Sequence, residues 1–340
     1  MNSLPAILQS LGPTAARLER LRLRSVILYL FSVTLTLVGL AVGIYFTGMV
    51  HNDGTWQNFA YYGLIYTSPL LAVFAHFACF QLFFESYQRA FRQSLVPGLI
   101  TGINPHLKLT PRNFISQNTF DNGYIQNIAT IVSGFRGKNL VTGAMGKIPV
   151  QFCELRIHFK SSRDKVSAPV PFLFFQAKLP QAFPSHTYIS HGSVGGSLGK
   201  VLAHSEKDLA ASNKAMELDL SMVNFSDKEL EKEFIVLGNN HDQTRKLLSG
   251  ALLGRLRQIK RSYHRCFSVF CTGNDLYVTI ITSYDLFKPP FFRPATAVPV
   301  LVSHLQEYYL DVAMFLEIGK LLSEHLKGEA NSRNGAQQAS

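Results

Sequence analysis

The chain reads as an α+β protein: a two-helix transmembrane hairpin, then a cytoplasmic mixed α+β domain with a long C-terminal helix. Three observations predict this. Val26–Val50 and Phe59–Phe84 contain no Asp, Glu, Lys or Arg, and a bilayer core is crossed by about 20 apolar residues of helix. Further on, short runs rich in β-branched and aromatic residues are bounded by Gly, Pro and Ser, the pattern of strands. Hairpin signals and amphipathic helices are interleaved there, which favours α+β over a doubly wound sheet.

Taken in order, residues 1–25 form a basic N-terminal segment, 26–50 the first span, 51–58 a short outer loop and 59–84 the second span. Residues 85–120 form a helical extension and linker, 121–327 the α+β domain and 328–340 a polar, disordered tail. Short loops rich in Lys and Arg stay in the cytoplasm. Arg17, Arg20, Arg22 and Arg24 precede the first span against Glu19 alone, and Arg89, Arg92, Lys108 and Arg112 follow the second. The connecting loop has no Lys or Arg. Both termini are therefore placed in the cytoplasm, with Trp56, Tyr45, Tyr61 and Tyr62 as interfacial anchors near the outer ends. The first run starts too late and is too long for a signal-peptide core. Cys79, Cys153, Cys266 and Cys271 show neither a disulfide-framework spacing nor a zinc spacing, so they read as free thiols.

Within the spans, Gly39 and Gly43 form a small-xxx-small pair that lets helices approach closely. Pro69 is expected to kink the second helix. His76 is the titratable group near mid-membrane. Gly39, Gly43 and His76 are the candidate intramembrane assembly residues.

In the domain, strands are expected at Leu140–Met145, Val150–Phe159, Pro171–Ala177, Met216–Leu220 and Phe234–Leu237. A hairpin joins Cys266–Cys271 to Leu276–Thr282. Glu85–Ile100 continues the second span and ends near Pro97-Gly98, with a linker over Thr101–Phe120. Ser226 and Glu229 form a capping box for a short helix. Asp242–Tyr263 reads as one amphipathic helix with an apolar face of Leu248, Leu252, Leu256, Ile259 and Tyr263. A Pro-rich segment, Lys288–Pro294, leads to a helix from Val298 to Lys327. On that helix Leu301, Leu305, Tyr308, Val312 and Phe315 follow steps of four and three, a heptad seam suited either to self-association or to packing on its own sheet.

The order of the second half is distinctive. Met216-Glu217-Leu218-Asp219-Leu220 is followed by Phe225, a short acidic stretch and Lys232-Glu233-Phe234-Ile235-Val236. Then come Asn240-His241-Asp242-Gln243-Thr244-Arg245-Lys246-Leu247-Leu248, a helix and the hairpin. With two preceding spans, this resembles a bacterial membrane family known as domain of unknown function 3137, also called galanin-like, over about residues 20 to 320. Glu233-Phe234-Ile235-Val236 and Asp242–Leu248 stand at the family's motif positions, with a departure at Thr244-Arg245. The resemblance implies a two-span bacterial inner-membrane protein and assigns no catalytic residues.

Chemical motifs are sparse. Along His191–Val201 the glycines invite a phosphate-loop reading, but Val194 and Val201 occupy positions that chemistry needs for glycine and hydroxyl. His186, His191 and His204 lie in loops without helical zinc spacing, and no nucleophile elbow occurs. No catalytic, cofactor or metal residues are assigned. With 33 Lys and Arg against 22 Asp and Glu, the net charge is +11, and basic residues gather in Arg245–Arg265. Lys246, Arg257, Lys260 and Arg261 share one face of the expected helix, a candidate contact with anionic lipid or a protein partner. No nucleic-acid module is recognisable. The expectation is a non-enzymatic, membrane-anchored binding or scaffold module that acts through a protein partner, a second copy or the bilayer. The alternatives are a subunit of a small oligomeric channel or transport accessory, and an enzyme with an unrecognised site.

Overall fold

Both N-terminal apolar runs are helical in the computed structural model, α1 over Leu4–Met49 and α2 over Thr55–Ile103. The structure describes residues 4–49, 55–124, 130–161, 169–191, 213–225, 227, 233–248, 250–263, 267–282 and 298–338. Two units are formed. One comprises residues 3–99 and 287–306; the other comprises residues 100–286 and 307–340 with the first two residues.

In the first unit, α1 begins inside the expected basic segment and passes through Pro13. Ile7, Leu11, Ala15, Leu18, Arg22 and Ser25 are buried, at the three- and four-residue steps of one helix face. Tyr87, Phe91, Leu95 and Leu99 are buried on α2. A side-chain carbon added at Gly98 would meet Leu11 at 2.6 Å, Tyr87 feels the charge of Arg22, and Tyr29 meets Phe80 with ring centroids 5.4 Å apart. These contacts step up one helix as they step down the other, so the two run antiparallel in one register. α2 continues past Pro97 to Ile103 rather than ending there. Val96, Leu99 and Ile100 are fully buried, and burying several such side chains at about 2 kcal/mol each outweighs the bond a proline removes.

Among the described residues one helical segment, Leu4–Gly43, is long and apolar enough to cross a membrane. Its most apolar window has mean hydropathy 2.3 and none of it is buried. Ile27, Phe31, Leu35 and Leu37 are each more than 60% exposed. The run Phe59–Phe84 is helical, but most of its side chains lie outside the described residues.

The second unit holds a nine-stranded antiparallel sheet. Its strands are β1 (Leu107–Thr110), β2 (Thr130–Met145), β3 (Ile148–Ser161), β4 (Val170–Lys178), β5 (Thr187–His191), β6 (Ser221–Met222), β7 (Phe234–Gly238), β8 (Phe267–Thr272) and β9 (Asp275–Ile281), in the order β1-β2-β3-β4-β9-β8-β5-β7-β6. The helices are α3 (Gln117–Gly123), α4 (Asn213–Glu217), α5 (His241–Leu247), α6 (Gly250–Tyr263) and α7 (Val298–Gln338). On one face, Cys153, Leu155, Ile157 and Phe159 of β3 join Phe172 and Phe174 of β4 in a core with Phe120, Tyr124 and Ala215. Phe120 lies 5.2 Å from Phe174, centroid to centroid. The other face carries Phe152 and Phe175, and Phe315 of α7 covers both. The β8–β9 hairpin turns on Gly273, whose φ of 52° suits glycine.

Several expectations are corrected. The linker Thr101–Phe120 contains β1 and the start of α3, with Ser116 capping α3 by accepting from the Thr119 amide. Met216–Leu220 is not a strand. It is the end of α4, where Leu220 N–H bonds to Ala215 O at 2.7 Å across Asp219 at φ 52°, a left-handed helix stop. The helix Asp242–Tyr263 is two helices, broken around Leu248 at φ −92°, ψ 40°, next to the weak helix formers Ser249 and Gly250. The final helix continues to Gln338, through most of the expected tail. The capping box at Ser226 and Glu229, the segment Lys288–Pro294 and the glycine-rich Gly192–Gly199 lie outside the described residues.

Candidate functional site

The four cations expected on one basic face do not form one. Lys246 sits on α5, exposed. The other three are on α6 and lie near the start of β7. Arg257 Nε donates to Glu233 Oε2 at 2.8 Å, and Arg261 Nη2 lies 3.5 Å from Glu233 Oε1. The Lys260 ammonium stands 5.8 Å from the centre of the Phe234 ring, within cation–π range. Burial pushes the Glu233 carboxyl up, but the Arg257 hydrogen bond and the charges of Arg257, Lys260 and Arg261 together hold it below its usual range. The helix break removed the common face, and one carboxylate recruited most of its charge.

The seam on α7 is likewise spent within the chain. Leu305, Tyr308, Val312 and Phe315 are buried, and Phe315 stacks on Phe175 at 5.1 Å; the Leu301 side chain lies outside the described residues. A carbon added at Gly319 would meet Met145 at 3.1 Å, so the helix approaches the sheet closely at this glycine. Gly39 and Gly43 are exposed, and a side-chain carbon at either would meet nothing within 4 Å. The His76 side chain lies outside the described residues.

The motif around Asp242 builds a corner. Asn240 caps α5 by accepting from the Gln243 amide at 3.1 Å. Thr244 is fully buried and shares a triangle of hydroxyls with Ser185 and Thr187, at 3.1 and 3.2 Å. Arg245 Nε donates to the Asn224 carbonyl at 3.1 Å. His186 bonds to Thr272 through Nδ1 at 2.7 Å, and the His191 side chain and all of His204 lie outside the described residues. Among the described residues no three His, Cys, Asp or Glu gather as a metal site.

The sequence reading missed a polar recess on the sheet. Thr142, Pro149, Gln151, Gln176 and Lys178 line a hollow of about 360 Å³. Gln151 donates to Gln176 at 2.6 Å, and Gln176 donates to Asp275 at 3.0 Å. Tyr277, whose hydroxyl lies 3.4 Å from the Gln176 amide, has its own pKa pushed up to about 12, first by burial and then by Asp275. The row runs across β3, β4 and β9 in one register. Its signal was available: Gln151 and Gln176 each continue an alternating apolar face by two residues. The hollow offers amide donors and acceptors, a hydroxyl and one cation.

An antiparallel sheet sandwiched by helices defines a mixed α+β protein, and one of its described helical segments is long and apolar enough to cross a membrane. Residues 173–324, from β4 into α7, match the model of the family described as protein of unknown function (DUF3137). No curated protein matches the chain. The crystal structure of the mycobacterial trehalose monomycolate transport factor A, TtfA, is similar at 8% sequence identity and a TM-score of 0.28, over 65% of this chain and 90% of that one. A likeness so distant carries no argument.

Proposed function

We propose that the chain is a non-enzymatic binding module held at a bacterial inner membrane by a two-helix hairpin, with both termini and the sheet domain on the cytoplasmic side. The observation that carries this is α1, whose most apolar window is wholly unburied. So much contiguous apolar surface demands a lipid or protein covering. The antiparallel register of α1 and α2 supports a second span over Phe59–Phe84, and the arginines before Val26 and after Phe84 support the orientation. The recess beside Gln151 and Gln176 is the surface offered to a partner, and the small-xxx-small pair Gly39 and Gly43 is the surface offered to a second copy within the bilayer.

The test is extraction and labelling of the full chain in native membranes. Alkaline carbonate should leave the protein in the pellet, and an Asn58→Cys variant should react with an impermeant maleimide from the outer side. Release into the supernatant removes the anchor; digestion of the sheet domain by protease added outside reverses the topology.

A further inference from the structure

The helix pair below the apolar runs carries arginines that the fold does not use. Arg17, Arg20 and Arg24 are exposed on α1 and Arg89 is exposed on α2. None is in an ion pair among the described residues. Glu19, the one acid in the α1 segment, is committed elsewhere: it holds Arg22 by two bonds of 2.7 and 2.8 Å inside the helix pair. Exposed Leu21 and Leu23, at 36% and 44%, alternate with the arginines. Arginines interleaved with bare leucines suit neither water nor hydrocarbon alone, and both suit the boundary between them.

Height along the helices gives each group a place. The antiparallel register that pairs 11 with 98, 22 with 87 and 29 with 80 sets Arg20 level with Arg89. At 1.5 Å per residue, Arg24 lies about 3 Å below the charge-free run that starts at Val26, and Arg20 about 9 Å below it. A headgroup layer is roughly 5–7 Å thick on each side of the core. Helical side chains lean toward their own N-terminus. Arg24 therefore leans from the core edge into the headgroups, while Arg89, on the descending helix, leans up into them. The opposing charge at this level is Glu85, also exposed, so the collar keeps a cationic excess.

Arg20, already below the headgroups and leaning away from them, is left out, and we propose that Arg24 and Arg89 form a collar that binds the phosphate monoanions of anionic phospholipids in the cytoplasmic leaflet. The inference rests on the membrane reading above and adds a lipid class to it. It also moves the lipid contact from the basic helix, whose Arg257 and Arg261 are held by Glu233, to the foot of the hairpin.

The experiment is native mass spectrometry of the detergent-solubilised full chain with equimolar phosphatidylglycerol and phosphatidylcholine. Each cation near an anionic surface is worth about fivefold, so phosphatidylglycerol adducts should exceed phosphatidylcholine adducts by about tenfold or more. The double variant R24Q/R89Q should bring the ratio near one. The matching Arg→Lys variant, which keeps the charge, should retain the preference, as should Lys246→Gln on α5. Equal adducts in the parent protein, an unchanged preference in the glutamine variant, or a loss in Lys246→Gln would each overturn the collar. Competition by soluble glycerol phosphate would also overturn it, by assigning a free-phosphate site instead. Carbonate extraction separates the two readings: a chain that stays in the pellet without lipid preference keeps its anchor and loses its collar.

Discussion

The ring of Phe315 lies on the ring of Phe175, with centroids 5.1 Å apart and planes 7° from parallel. This stack fastens the final helix to the centre of the sheet, between the strands that flank β4. It also engages one residue of the apparent coiled-coil seam inside the chain. Phe315→Ala should lower stability by about 3–5 kcal/mol, read as a shift in the denaturant midpoint of the detergent-solubilised protein. If the seam instead joined copies, the same change would alter oligomeric mass and leave the midpoint of the monomer in place.

Glu233 makes stability depend on pH in one direction. Folding lowers its pKa, so the unfolded chain holds the proton more readily. The pair's contribution is complete above the ordinary glutamate range near about 4.3 and fades as pH falls through the lower folded value. Glu233→Gln should cost about 1–2 kcal/mol at pH 7, and the gap between variant and parent should close in acid. Unfolding curves at pH 7 and at pH 3 compare the two; a gap that widens in acid would contradict the pairing.

Gly238 and Thr244 are locked by space. A carbon added at Gly238 would lie 2.3 Å from Thr244 Oγ1, in a hydroxyl triangle with no room to retreat. Gly238→Ala should cost about 1–3 kcal/mol. Thr244→Ala on the same background should recover part of that, so the two changes should be non-additive in a thermal-unfolding cycle. Strict additivity would show that the corner relaxes elsewhere.

Arg22 is a buried guanidinium whose hydrogen bond to Glu19 raises its pKa, against the opposing effect of burial. Glu19→Gln should strand that charge against Tyr87 and cost about 3–5 kcal/mol. Replacing the pair with Glu19→Gln and Arg22→Met should be milder than the single change. Thermal denaturation in detergent would show the order; a single variant as stable as the double would mean the pair reaches water.

Cysteine chemistry gives a direct probe of the core. Burial pushes the Cys153 thiol up to about 12 and raises that of Cys271 further. Both should resist iodoacetamide at pH 8 in the folded protein and react on denaturation, followed by mass shift.

The sequence by itself determined what depends on local pattern. Two charge-free runs specified the long helices, partial period-two alternation specified the strand at β3, continuous β-branched and aromatic runs specified β4 and β7, and Thr272–Asp275 specified the hairpin. The order of Glu233–Val236 and Asp242–Leu248 was enough to indicate the family. Tertiary structure decided everything that needs two distant segments in one place. Lys246 and Arg257 shared a face only while the helix was unbroken, and the break at Leu248 gave the Arg257 charge to Glu233. Met216–Leu220 alternates as a strand does, but Ala215 and Leu220 bury by closing a helical turn. Gln151, Gln176 and Tyr277 stand opposite one another across three strands, and only the strand register brings them together. Helical and strand periods are written in a dozen consecutive residues; the partner of a charge or an amide is fixed only once the sheet order is, and no local pattern encodes it.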